Sequence, residues 1–330
     1  MPEFFTRIEI PKPSFSIDYH SKVLLMGSCF TDNIGIQLKQ FKFDAVHNPF
    51  GVVYNPVSLS KQINLLINKE SFKKDDLNYY NELWFSYLHY TLFSDPDQGK
   101  CLDKINTSFS EGKKMIGKAD VIVITLGTSF VYKQLKTGDI VANCHKIPAK
   151  EFERHFSSVD ETFQHLKIAL TDIRKKNPKV KFVFTVSPIR HWKDGAIENQ
   201  RSKAALILAI SQLQEELANV YYFPVYELFM DELRDYRFYA DDMLHPSSLG
   251  IELVWEKFSD TFFSSDTKGI YKEVERIITG LAHRPKHINT RAYKKFLSDL
   301  QQKISALTRT YSFLDFSEEI INITSLFNKI

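Results

Sequence analysis

Cysteine is scarce in this chain. Cys29, Cys101 and Cys144 are odd in number and widely spaced, which indicates neither a disulfide framework nor a zinc cluster. Glycine and proline number 12 each in 330 residues, too few for a low-complexity or collagen-like chain. No run approaches the roughly 20 apolar residues that a membrane-spanning helix requires, and residues 1–7 lack a basic segment followed by a long apolar stretch. An excess of one charge is also missing: 43 Lys and Arg against 40 Asp and Glu leave a formal net charge of +3, which argues against a dedicated nucleic-acid binder. No Gly-x-Gly-x-x-Gly follows a strand and no Gly-x-x-x-x-Gly-Lys occurs, so nucleotide-cofactor chemistry has no motif behind it. These absences lead us to expect a cytoplasmic protein without metal, cofactor, membrane or nucleic-acid partner.

What the chain does have is 43% hydrophobic and 25% charged residues, enough apolar mass for a large core. Apolar runs of strand length at 22–26, 43–47, 121–126, 181–186 and 220–223 alternate with helical patterns at about 29–41, 56–68, 104–117, 158–176 and 199–218. Near-continuous Val, Ile and Phe in those runs indicates strands buried on both faces. The expected fold is therefore α/β, a three-layer α/β/α sandwich around a parallel, flavodoxin-like five-stranded sheet. It should occupy 1–265, with insertions at about 70–103 and 132–157 forming a cap. Helical periodicity at 271–281, 291–307 and 316–327 predicts a helical appendage over 266–330.

Ligands in such folds bind beyond the carboxyl ends of the strands, and each predicted strand runs into polar residues. The first ends at Gly27-Ser28, where glycine permits a tight turn and free N–H groups of the next helix favour a developing oxyanion. Ser28 is a candidate nucleophile, or a residue that only caps the helix. Cys29 competes with it, since a helix N-terminus activates a thiol. After the fifth strand, Asp242 and His245 supply a carboxylate and an imidazole three residues apart, or else a loop before a helix capped near Ser247. Arg190 and His191 follow the fourth strand and are expected to bind substrate, as is Asn48 after the second. His89 lies in an aromatic stretch, residues 79–90, that either stacks on sugar rings or packs as a satellite core.

Gly27-Ser28-Cys29-Phe30 resembles the signature of the GSCFA domain family, a bacterial branch of the SGNH/GDSL-like hydrolases, with Thr31 in place of the final alanine. Asn48-Pro49-Phe50-Gly51, Thr125-Leu126-Gly127-Thr128, Asn143-Cys144-His145-Lys146, Ser187-Pro188-Ile189-Arg190-His191 and Asp242-Met243-Leu244-His245-Pro246 are similar to the same family. The resemblance covers roughly 20–260. It implies an SGNH-like fold with Ser28 as nucleophile, His245 as general base and Asp242 orienting the imidazole. It further implies an oxyanion hole formed by the Ser28 and Gly51 N–H groups, with Thr128 first and Ser129 second in place of the usual asparagine. The implied activity is hydrolysis of an ester, such as an O-acyl group on a carbohydrate-derived substrate. An O-acyltransferase using the same residues and a non-catalytic carbohydrate-binding or scaffold protein are the alternatives.

Overall fold

The computed structural model describes residues 6–283 and 285–328, so the reading of the amino-terminal segment falls largely outside the described residues. In chain order, β1 (Lys22–Gly27) leads through α1 (Cys29–Gln40) to β2 (Asp44–His47) and α2 (Pro56–Asn68). A hairpin of β3 (Asn78–Tyr80) and β4 (Leu83–Phe85) precedes α3 (Gln98–Ile116) and β5 (Val121–Leu126). A small antiparallel sheet of β6 (Phe130–Gln134), β7 (Ile140–Val141) and β8 (Phe152–Phe156) comes next. Then α4 (Val159–Lys176), β9 (Lys181–Val186), α5 (Gly195–Glu216) and β10 (Val220–Tyr222) complete the alternation.

The five long-range strands pair in parallel in the order β10-β9-β5-β1-β2. Strand order reverses beside β1, which opens a crevice between β1 and β5 at their carboxyl ends. Every residue of β5 is buried, as a central parallel strand requires. In β1 the strand period sorts side chains by face. Leu24 and Met26 join the core under α2 to α5, while Val23 and Leu25 join the core under α1 and the carboxyl-terminal helices.

The expected strands are all present. Two helices begin earlier than their apolar periodicity implies. The Asp97 carboxylate accepts the Lys100 N–H at 2.8 Å and so starts α3 at Gln98, and Gly195, at φ +75°, starts α5. Four further helices follow: α6 (Ser248–Phe262), α7 (Ser265–Ala282), α8 (Arg291–Thr310) and α9 (Ser317–Phe327). The last of these are joined to the sandwich, not tethered to it. Tyr293, Leu297, Leu300, Phe316 and Ile323 share one core with Tyr19, Phe43 and Phe263, and Lys42 pairs with Glu319 at 2.7 Å. Among the described residues no helix is long and apolar enough to cross a membrane.

The two insertions touch each other. Ala142 N–H donates to the Tyr87 carbonyl at 2.9 Å, and Gln134 Nε2 donates to the Tyr87 hydroxyl at 2.9 Å.

Candidate active site

Gly27 ends β1 at φ +137°, and a Cβ there would lie 2.1 Å from the Thr125 carbonyl oxygen of β5, so no other residue fits. The chain then turns into α1 with Ser28 as its N-cap. The Ser28 hydroxyl accepts a long hydrogen bond from Phe30 N–H at 3.4 Å, and the residue is only 1% exposed. Its own N–H donates to the Thr125 carbonyl at 3.1 Å, which corrects the expectation that this group lines the oxyanion hole.

Cys29 is the first residue of α1 and is partly exposed. Burial raises its thiol pKa and Asp32 adds to this, whereas its own N–H, that of Phe30 and the Lys203 ammonium pull it back down.

The remaining oxyanion candidates are committed elsewhere. Gly51 N–H donates to the Asn48 carbonyl at 2.7 Å, and the glycine, at φ +75°, backs onto the Tyr90 side chain of the first insertion. The Ser129 hydroxyl, fully buried, donates to the Ser202 carbonyl at 2.8 Å. Thr128 Oγ1 accepts Phe130 N–H at 3.1 Å and pairs with the Ser202 hydroxyl at 3.1 Å. Both side chains face α5, because the loop after β5 is pinned by Gly127 and Thr128 N–H donating to the Tyr54 carbonyl at 2.7 and 3.0 Å.

Two substrate-binding expectations are also corrected. Asn48, buried at φ 42°, accepts Gly27 N–H at 2.8 Å and donates to Asp32 at 2.6 Å and to Thr31 Oγ1 at 3.2 Å. It holds the turn before Ser28 and has no donor left for a ligand. His89 is fully buried, its ring 4.8 Å from the rings of both Phe50 and Phe72. Burial, aided by His145, drives its pKa down to about 3, so it stays neutral; Phe50 and Phe72 belong to the main core on the central sheet, so His89 packs there and not in a satellite core.

The acid and imidazole do come together. Asp242 Oδ2 lies 2.5 Å from His245 Nδ1, and Oδ1 accepts the N–H groups of Leu244 and His245 at 2.9 Å each. The His245 N–H bond first, then the imidazole and Leu244 N–H, hold the Asp242 carboxyl down at about 2. Occupation of Nδ1 leaves Nε2 free. The pair sits on the exposed rim, in a loop closed by Ala240 N–H on the His245 carbonyl at 2.8 Å. His245 makes no side-chain hydrogen bond to Ser28 among the described residues, and such contacts are commonly long before substrate binds. His191 lies between rim and floor. Its Nε2 would be 3.4 Å from a Cβ at Gly127, its ring is 5.5 Å from that of Tyr54, and burial, then Lys203 and His245, lower its pKa to about 4.

Lys203 is the residue that sequence reasoning missed. It is fully buried in α5 and its ammonium donates to the Gly127 carbonyl at 2.6 Å and the Ser187 carbonyl at 2.7 Å, tying together the ends of β5 and β9. Burial lowers its pKa to about 7, with Arg190 adding to this and Cys29 opposing it. The available signal is its place in an otherwise apolar helix stripe with Leu206, Ile210 and Leu213.

Comparison with known proteins agrees with the signature. The profile of the GSCFA family matches residues 22–258, and that of the GSCFA domain protein C-terminal domain matches 274–327. Among solved structures, a family 3 carbohydrate esterase from Talaromyces cellulolyticus is similar over 78% of this chain and 98% of its own, at 12% identity and a TM-score of 0.36. The Clostridium thermocellum family 3 carbohydrate esterase is similar over 80% and 99%, at 12% identity and a TM-score of 0.35. No curated protein sequence matches the chain.

Proposed function

Taking as premise that this chain belongs to the GSCFA family, we propose that it is an acyl hydrolase acting on ester bonds. The observation that carries this reading is the Asp242–His245 pair, 2.5 Å apart, in a loop whose next residue, Pro246, lines a small cavity with Phe30 and Asn33 of α1. The nucleophile attacks the ester carbonyl while His245 Nε2 takes its proton. The tetrahedral intermediate then expels the alcohol, which receives that proton, and water releases the acyl group by the reverse sequence. Asp242 fixes the tautomer and stabilises the imidazolium as it forms.

Ser28 is the nucleophile that the family signature nominates, and in that role its hydroxyl must swing out of the helix cap toward His245. A second reading places the acyl group on Cys29. Its support is exposure: Cys29 is partly exposed, while Ser28 is buried. The raised thiol pKa means that this route also needs a base.

Acid-quenched intact mass after mixing with an activated acetyl ester tests both. An adduct of one acetyl group that disappears in Ser28→Ala and resists neutral hydroxylamine is expected for the serine route. Loss in Cys29→Ala and release by hydroxylamine mark the thiol route. Full turnover in His245→Ala would refute the proposal in either form.

A further inference from the structure

We propose that the cleft beside the Asp242–His245 pair is a subsite for an acidic carbohydrate, so that the ester cleaved here is carried by a sugar bearing an anionic group. The inference rests on the acyl-hydrolase reading and extends it to substrate class. A cleft of about 650 Å³, of a size that takes a small ligand, opens against the pair with Asp242 in its wall.

Its charged lining is Arg190, Arg234, Asp235 and Asp242. The carboxylates are already engaged, Asp242 by His245 at 2.5 Å and Asp235 by Arg237 at 3.0 Å. The arginines are not. Arg190 Nη2 meets only the Met230 sulfur at 3.1 Å, and Arg234 donates to the Asp231 main-chain carbonyl at 2.9 Å and the Thr6 hydroxyl at 3.0 Å. Neither guanidinium has a carboxylate partner among the described residues, and each retains unused N–H donors in the planar fork that matches a carboxylate or phosphate. The two arginines therefore give the cleft guanidinium donors to spare, beside two carboxylates that already have hydrogen-bond partners.

Trp192 and Tyr236 line the same cleft and are 57% and 76% exposed. Large rings left in water beside a polar cleft offer flat apolar faces to the C–H face of a sugar ring, with polar edges for its hydroxyls. The substrate would then lie with its anionic group on Arg190 and Arg234, its ring against Trp192 and its ester toward His245.

Calorimetric titration of the full chain with tri-galacturonate, cellotriose and inorganic phosphate tests this. Tri-galacturonate is expected to bind at least about tenfold more tightly than either other probe, a preference that high salt weakens and Arg190→Met with Arg234→Met removes. Trp192→Ala should weaken both trisaccharides while keeping their ratio. Equal affinity for the two trisaccharides overturns the proposal, as does an acid preference that survives in the arginine variants. Phosphate binding as tightly as tri-galacturonate overturns the sugar assignment. Hydrolysis of a small neutral ester by the wild-type protein reads the other proposal separately: acid-selective binding without that turnover sinks only the acyl-hydrolase reading, and turnover without acid selectivity sinks only this one.

Discussion

The floor of the candidate site and its rim are built by opposite means. The floor, comprising Gly27, Asn48, Lys203 and Ser202, is buried and held by hydrogen bonds between residues far apart in sequence. The rim is a short exposed loop in which Asp242 and His245 hold each other across three residues. Long-range contacts fix a site to the fold, so their loss is felt as lost stability. A self-contained loop carries chemistry that can be removed while the fold survives.

Replacing His245 by Ala is the strongest way to break that contrast. Ester hydrolysis should fall by about 10²–10⁴-fold with little change in melting temperature, as read by steady-state rates beside calorimetry. A matching fall in stability would show that the rim is structural after all. Gly27→Ala attacks the floor, since its methyl group would overlap the β5 backbone at an unfavourable φ. A loss of about 3 kcal/mol or more is expected in denaturant unfolding, and a smaller one would mean that the turn can shift.

The smallest and sharpest test is Lys203→Met. The folded pKa of about 7 lies below the unfolded value of 10.5, so between these limits the unfolded chain binds the extra proton. Stability of the wild type should therefore rise between pH 7 and 9 by up to about 1.4 kcal/mol per unit from this group. The Met variant should lack that rise. A rise of equal size in both proteins would locate its source elsewhere.

The fold was legible because its signals are local. Val121–Leu126 is apolar except for Thr125, and Ser28, Asn55 and Ser158 each cap a helix that follows. The rim was legible for the same reason, since an acid and an imidazole three residues apart meet whenever the loop turns. The floor was not. Whether Ser28 or Cys29 faces outward depends on which one caps α1. The hydroxyls of Thr128 and Ser129 turn toward α5 because Ser202 waits there, 73 residues from Ser129 along the chain. His89 and Asn48 read as binding residues because polarity is visible in a sequence and burial is not. Lys203 is the converse, a charge whose partners are two backbone carbonyls and which therefore leaves no complementary residue to find.

The shared aromatic core under the carboxyl-terminal helices has a consequence for how this protein can be divided. Tyr19 and Phe43 stack with ring centroids 4.2 Å apart, Phe313 lies 5.6 Å from Tyr19, and the Lys42–Glu319 pair fastens the same corner. A chain ended after α6 would present those rings to water as an adhesive patch and leave Lys42 without its carboxylate. The two segments matched by separate family profiles are thus not interchangeable modules. They are halves of one hydrophobic face, and an exchange of tails between relatives would succeed only if both sides of that face moved together.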